Sequence, residues 1–348
     1  LFIRYRSQES GVRRQELGGT KKNSFHHLPL TNYQLPVPCS LFPAPCSLSQ
    51  QMNLILSDYS IMTISKISRR SFLFLGGATL AQGLTLTLPS YAQTVQVNKS
   101  QINGIPFYQT IVDLTDPKTF ITMGLAKNAA FANTIQKTSG DEEFSKLVAR
   151  YKAAVVANGT FFAKNPQKTV MGNMIAGGKF VKYSRWENFG TTLGLGVGNK
   201  PEMVTARIDG KPEWNKHWFS LTCGPRLLRQ GEIRLNPRIE GFKDPAVLGN
   251  SARTAIGFTQ DGTKLILANF EINLTLQQEA EAMKAIGCYE AMNLDGGASR
   301  ALANKTNIIV PAGRPLTNVI VIYDVTNPAP TDLQQAWLKF QQGERPAS

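Results

Sequence analysis

The feature that most narrows the possible folds is a device that occurs twice: a capped amphipathic helix, a short apolar strand, then a polar residue followed by glycine. In the first copy Ser139 and Glu142 stand three apart in a capping-box pattern, and Phe144, Leu147, Val148 and Tyr151 recur at helical spacing. Ala153 to Ala157 then reads as a short buried strand that ends at Asn158-Gly159. In the second copy Thr275 and Gln278 form the cap, Leu276, Ala280, Met283 and Ile286 make the stripe, and Gly287 stops the helix. Ala291 to Leu294 is its strand, ending at Asp295-Gly296-Gly297. Loops at the carboxyl ends of strands are where α/β folds place ligands, so both glycine-bearing ends are candidate site segments.

The remainder reads as hairpins. Met203 to Ile208 predicts a strand closed by Asp209-Gly210. Thr254 to Thr259, Asp261-Gly262 and Lys264 to Phe270 predict a β-hairpin. The β-branched run Asn318 to Tyr323 predicts a central strand. Many strands and few helices give an α/β (α+β) class: a single domain, residues 93–326, with a mixed, strand-rich sheet flanked by a few helices. Residues 327–348 form a tail in which Asp332 to Phe340 has the pattern of a short amphipathic helix, most simply packed on the domain's own surface.

The first 92 residues read differently. Residues 1–61 begin with Leu1 and are mostly polar, rich in Pro and Ser and without period, as in a disordered stretch or an upstream extension that is not translated. Residues 62–92 hold Ser68-Arg69-Arg70-Ser71-Phe72-Leu73, which is similar to a twin-arginine export core. A 17-residue run, Phe72 to Leu88, follows, softened by glycines, threonines and Gln82. A bilayer-spanning helix needs roughly 20 strongly apolar residues. Ser90-Tyr91-Ala92 then supplies a small-x-small cleavage site before Gln93. The expectation is an exported protein, periplasmic or extracellular, with no stable membrane span after cleavage. An uncleaved anchor is the alternative.

The formal charge of +14 suggests nucleic acid at first sight, but residues 1–92 carry nine Lys or Arg against three acids, so +6 of it precedes the globular part. Beyond them the basic residues are scattered, with no zinc or helix-turn-helix pattern, so no nucleic-acid partner is expected. Past residue 92 the only histidine is His217, which leaves a Ser-His-Asp triad or a histidine metal site without its parts. No Walker loop or dinucleotide fingerprint is present, and neither cofactor nor metal is expected. Cys223 and Cys288 are the cysteines of the exported part, read either as one bridge or as two buried thiols, and in both cases as spatial neighbours.

Four polar stretches remain: Asn158 to Phe162 (NGTFF), Ala252 to Gly257 (ARTAIG), Asn293 to Ser299 (NLDGGAS) and Arg314 to Asn318 (RPLTN). In this order they resemble the motif set of the phosphodiester glycosidase family, over roughly residues 95–325. The family usually has a second glycine where Thr160 stands, often glycine at Ala298, and an Asp-Gly type loop where this chain has Asn269-Phe270-Glu271. The resemblance implies a carbohydrate or sugar-phosphate substrate and hydrolysis of a sugar-phosphate diester or related glycosidic bond. A non-catalytic polysaccharide-binding module is the rival class.

Breaking a glycosyl phosphodiester requires carboxylates for the oxocarbenium-like centre and guanidinium groups for the departing phosphate. The catalytic candidates are Asp295 and Glu271. The substrate-binding candidates are Asn158, Gly159, Arg253, Asn293, Gly296, Gly297, Ser299, Arg314 and Thr317, with Arg300 a further guanidinium. Flanking arginines should keep the Asp295 pKa low. Asn158 either meets sugar hydroxyls or orients Asp295. Asn158, Arg253, Asp295 and Arg314 should line one pocket. Each has a plain alternative: Asp295-Gly296 as a turn, Arg253 in a structural ion pair, Glu271 as an edge residue, Phe161 and Phe162 in the core.

Overall fold

The computed structural model describes residues 93–345 apart from Trp186. The segments read as an upstream extension and an export signal lie outside the described residues. The described residues form three sheets in which every strand pairing is antiparallel. The strand-rich α/β class is as expected, with its strands shared among three sheets rather than gathered in a mixed one.

The largest sheet has seven strands in the order Val95–Ile102, Ile105–Asp113, Lys264–Leu274, Ser251–Phe258, Glu290–Asn293, Arg226–Arg229 and Glu232–Ile233. Its centre is the predicted hairpin, extended at its open end to Ser251 and Leu274. The Asp261 carboxylate takes the Thr263 N–H and the hydroxyls of Thr259 and Thr263, which fixes the turn. Side chains alternate across this sheet with period two. Ile256, Leu265, Leu267 and Met292 face one core. Ala255, Ile266, Ala268 and Ala291 face another, closed by the helix Leu276–Ala285 through Ala280 and Met283. That helix carries the predicted capping box of Thr275 and Gln278.

The second sheet runs Asn307–Val310, Leu302–Asn304, Val155–Asn158, Asn318–Tyr323 and Phe120–Leu125. Asn318–Tyr323 is flanked on both sides and buried throughout, the central strand its β-branched residues predict. The third runs Lys179–Lys182, Met174–Ala176, Phe219–Cys223, Thr191–Leu195 and Pro201–Thr205. All three share the larger core, where Ile256, Val156, Ile320, Leu193 and Leu221 belong to one cluster. The helix Thr331–Gln341 covers that core. Its Trp337 packs edge-on against Trp218 at 5.0 Å, and Phe340 is fully buried, a burial that contributes about 1.5–3 kcal/mol. No helix among the described residues is long and apolar enough to cross a membrane.

Three local expectations are corrected. The first helix begins at Phe144, not after Ser139, and its N-cap Glu143 makes no side-chain cap. The Glu142 carboxylate is taken by the Arg150 guanidinium and the Lys127 N–H, and its backbone bridges Leu316, so it cannot close a box. The strand expected over Met203 to Ile208 stops at Thr205, where Ala206–Asp209 turns helically and Asp209 accepts the Thr205 N–H at 2.9 Å. Cys223 and Cys288 are both free and buried, Cys223 in the larger core and Cys288 on the helix side of the seven-stranded sheet, so they are not the neighbours expected.

Candidate active site

Two strand ends meet at the candidate site. Val155–Asn158 delivers Asn158-Gly159, and Glu290–Asn293 delivers Asp295-Gly296. The Asp295 N–H donates to Gly159 O at 3.3 Å, and Asn158 Nδ2 donates to Asp295 O at 2.6 Å. Asn158 Oδ1 accepts from the Ala301 N–H at 3.0 Å and from the Thr254 hydroxyl at 3.4 Å. Of its two readings, Asn158 takes the second: buried and bonded to backbone, it holds the main chain of Asp295 in place. Gly159 and Gly296 permit this approach. A Cβ at Gly159 would overlap Asn318 Oδ1, and one at Gly296 would overlap Ala252 O.

After Gly296 the chain makes one tight turn, with Gly297 at φ +55° and the Ser299 N–H donating to Gly296 O at 3.0 Å. The turn brings Ser299 back beneath the Asp295 carboxyl. Arg314, from the loop before the central strand, completes the group. Its Nε donates to Ser299 Oγ at 2.7 Å and its Nη2 to Asp295 Oδ2 at 3.2 Å. The guanidinium lies 4.1 Å from the Phe162 ring centroid, a cation–π contact that fixes its plane. The Asp295 side chain is only 8% exposed, whereas that of Arg314 is 30% exposed, so a ligand meets the arginine before the carboxyl. Burial raises the Asp295 pKa above the ordinary aspartate value, with the Ser299 hydroxyl and Arg314 pulling the other way. The expectation of a low pKa is thus corrected: loss of water around the carboxyl outweighs the adjacent guanidinium.

The other candidates fall in different places. Arg253 does not join the cluster. Its neighbour Thr254 points to Asn158, and alternation turns Arg253 to the helix side of the sheet. There its Nε donates to Leu274 O at 3.1 Å and its Nη2 to Val247 O at 2.9 Å and to Gly249 O. Glu279 Oε2 stands 3.8 Å away, so the plain alternative of a structural pair describes Arg253. Glu271 pairs with Lys99 at 3.0 Å and faces Arg300, the residue after Ser299, whose pKa burial lowers and Glu271 raises. It flanks the cluster through Arg300 and makes no hydrogen bond to Asp295. Asn293 is buried and donates from Nδ2 to Gly224 O at 2.9 Å. Thr317 is buried, its hydroxyl accepting from Asn318 Nδ2 at 2.9 Å. Among the described residues no three His, Cys, Asp or Glu side chains gather into a metal-binding group.

Some residues of the site fall outside the catalytic and substrate-binding candidates. Phe162 is the platform for Arg314, although its residue type equally fits a core position. Asn318, the last residue of the fourth motif, accepts the Thr160 N–H at 2.9 Å and donates to Thr160 O at 3.2 Å, which ties that motif to the first. Thr160 donates its hydroxyl to Thr222 O at 2.6 Å. Burial pushes the Cys223 thiol up to about 12, and the charge of Asp295 adds to the rise, so Cys223 is an inert wall beside the carboxyl.

The profile of the phosphodiester glycosidase family matches residues 151–323, which contain all four motifs and every member of the Asp295 cluster. Among solved structures, the zebrafish N-acetylglucosamine-1-phosphodiester alpha-N-acetylglucosaminidase catalytic domain superposes with a TM-score of 0.53 at 20% identity, over 68% of this chain and 85% of that domain. It shares the fold. A hypothetical protein from Synechocystis aligns with a TM-score of 0.49 at 15% identity, over 66% of this chain and 62% of its own length. No curated protein matches the chain by sequence. The four motifs, the fold they build and the family profile agree, and the chain belongs, through residues 151–323, to the phosphodiester glycosidase family.

Proposed function

We propose that this chain is an exported hydrolase that cleaves a sugar-phosphate diester, or a related glycosidic bond, in envelope or extracellular glycans. One observation carries the reading: a buried carboxyl with a raised pKa, Asp295, held with Ser299 against the guanidinium of Arg314, whose side chain is 30% exposed. Water attacks the anomeric carbon as the bond from that carbon to the phosphate oxygen breaks. Asp295 takes the proton from the water, and the phosphate leaves as a monoester against Arg314. A carboxyl that binds its proton more tightly than aspartate in water is the better base for this step. Glu271, between Lys99 and Arg300, is the second carboxyl and balances charge at the sugar.

The test is turnover on a panel of sugar-1-phosphodiesters with identification of the broken bond, for the native chain and for Asp295→Asn. Release of sugar by the native chain and its loss in the variant support the proposal. Glycan affinity without product from the native chain would move the protein to the non-catalytic polysaccharide-binding class. Export is tested separately by changing Arg69 and Arg70 to Lys, which should retain the protein in the cytoplasm. Mature protein should begin near Gln93.

A further inference from the structure

We propose that a cleft at the edge of the seven-stranded sheet is a second subsite, one that binds the acidic units of a glycan chain. The cleft is a hollow of about 600 Å³ lined by Arg226, Arg229, Gln230, Arg234, Asn236 and Glu240, among others. That volume lies in the range of small-molecule pockets. It sits on the hairpin of Arg226–Arg229 and Glu232–Ile233.

The charged groups of the cleft pair off and leave one guanidinium over. Arg226 is the buried floor: its guanidinium is spent on Glu290, Thr205 and the carbonyls of Met203 and Leu228. Arg229 pairs with Asp209 at 2.7 Å but keeps its side chain 40% exposed. Glu232 is drawn off by Lys284 at 3.0 Å. Glu240 is buried, its carboxyl raised to about 7 by burial and turned to the Arg226 N–H and the Thr191 hydroxyl. Arg234 has no acidic partner among the described residues, and the side-chain amides of Gln230 and Asn236 make no hydrogen bond there. A guanidinium without a counter-charge, beside two unspent amides in a concave wall, matches a carboxylate flanked by hydroxyls, the face of a sugar acid.

The cleft is separate from the Asp295 cluster. Glu290, which anchors Arg226, opens the strand whose far end leads to Asp295. That is five residues of extended chain, about 16 Å. An extended acidic glycan has the length to touch both. The ligand class rests on the glycan reading above; the cleft and its charge do not.

Calorimetric titration of the full chain with oligogalacturonides, and with neutral cello-oligosaccharides of equal length, tests the inference. The acidic series should bind about tenfold or more tightly than the neutral one, and added salt should weaken it. Arg234→Gln, at an exposed position, and the Arg229→Gln/Arg234→Gln pair should each lose that preference with unchanged thermal midpoints, while Asp295→Asn should keep it. Equal affinity for the two series, or a preference that survives in the double variant, would overturn the proposal. Turnover on small sugar phosphodiesters, measured in parallel, separates the two ideas. Acid-selective binding by an inactive chain retains the cleft and rejects the hydrolase. Turnover without acid selectivity does the reverse.

Discussion

Two of the arginine–carboxyl pairs, Arg253–Glu279 and Arg314–Asp295, are built for opposite ends. Arg253 and Glu279 are sealed. The arginine side chain is 2% exposed, three backbone carbonyls claim it, and both Glu279 oxygens lack a hydrogen-bond partner among the described residues. Burial raises the Glu279 carboxyl to about 8, and three carbonyls supply the hydrogen-bond acceptors of Arg253. Arg314 and Asp295 are closer, at 3.2 Å, and the arginine side chain is 30% exposed. A shared residue pairing says little about function. What separates a prop from a site is whether the arginine has a donor left to give.

The contrast can be broken at either pair. The largest stability effect is expected at the sealed one. Arg253→Ala leaves three carbonyls without their donor and should cost about 3 kcal/mol of unfolding free energy, read by urea melts. A near-native melt would show that the bonds to Leu274, Val247 and Gly249 carry little. At the open pair the loss should be in rate. Asp295→Asn should lower turnover about a hundredfold or more, the scale of lost acid–base help, while the thermal midpoint holds or rises. The sign follows from the raised pKa: ionising this buried aspartate weakens the fold, and asparagine cannot ionise. A variant that collapses instead would make Asp295-Gly296 a structural turn.

A smaller effect isolates Glu279. Its carboxyl binds a proton more tightly folded, at about 8, than unfolded, near 4.5. Its contribution to stability is therefore whole below the unfolded value and lost as pH rises through about 8. The native thermal midpoint should fall over that window, with Glu240 adding a similar decline through about 7, and Glu279→Gln should flatten the upper part. An unchanged slope in the variant would show that Glu279 is not the titrating group. The smallest change is expected for Glu271→Gln, whose Lys99 partner is solvent-exposed. Its thermal midpoint should stay within measurement scatter, so any loss of turnover there reports chemistry.

Sequence reading reached the elements whose signals are local. The hairpin turned by Asp261-Gly262, the Thr275–Gln278 capping box and the all-buried strand Asn318–Tyr323 each rest on residues a few positions apart. It failed where a distant partner decides. Glu142 has the spacing of a cap, but Arg150 and Lys127 take its carboxylate. Arg253 sits in a motif beside Thr254, but a register shift between Ala252 and Thr254 and the alternation of the strand decide which side it faces. Among the site candidates, Asp295, Ser299 and Arg314 do come together, because glycine and loop residues could be read as a turn. Phe162 could not be assigned from type alone, since stacking under a guanidinium and filling a core both call for an aromatic ring.

The helix Thr331–Gln341 bears on the order in which the chain can fold. Trp337 and Phe340 pack edge-on against Trp218, and the Gln341 carboxamide accepts the Gly198 N–H at 2.8 Å. This face of the core is thus closed by residues that are synthesised after the matched segment 151–323. A chain that has emerged as far as Tyr323 holds the complete matched segment and the Asp295 cluster, yet its Trp218 is still uncovered. Vectorial synthesis therefore leaves this domain with an exposed indole until the helix Thr331–Gln341 docks, an interval in which a holding chaperone has something to hold.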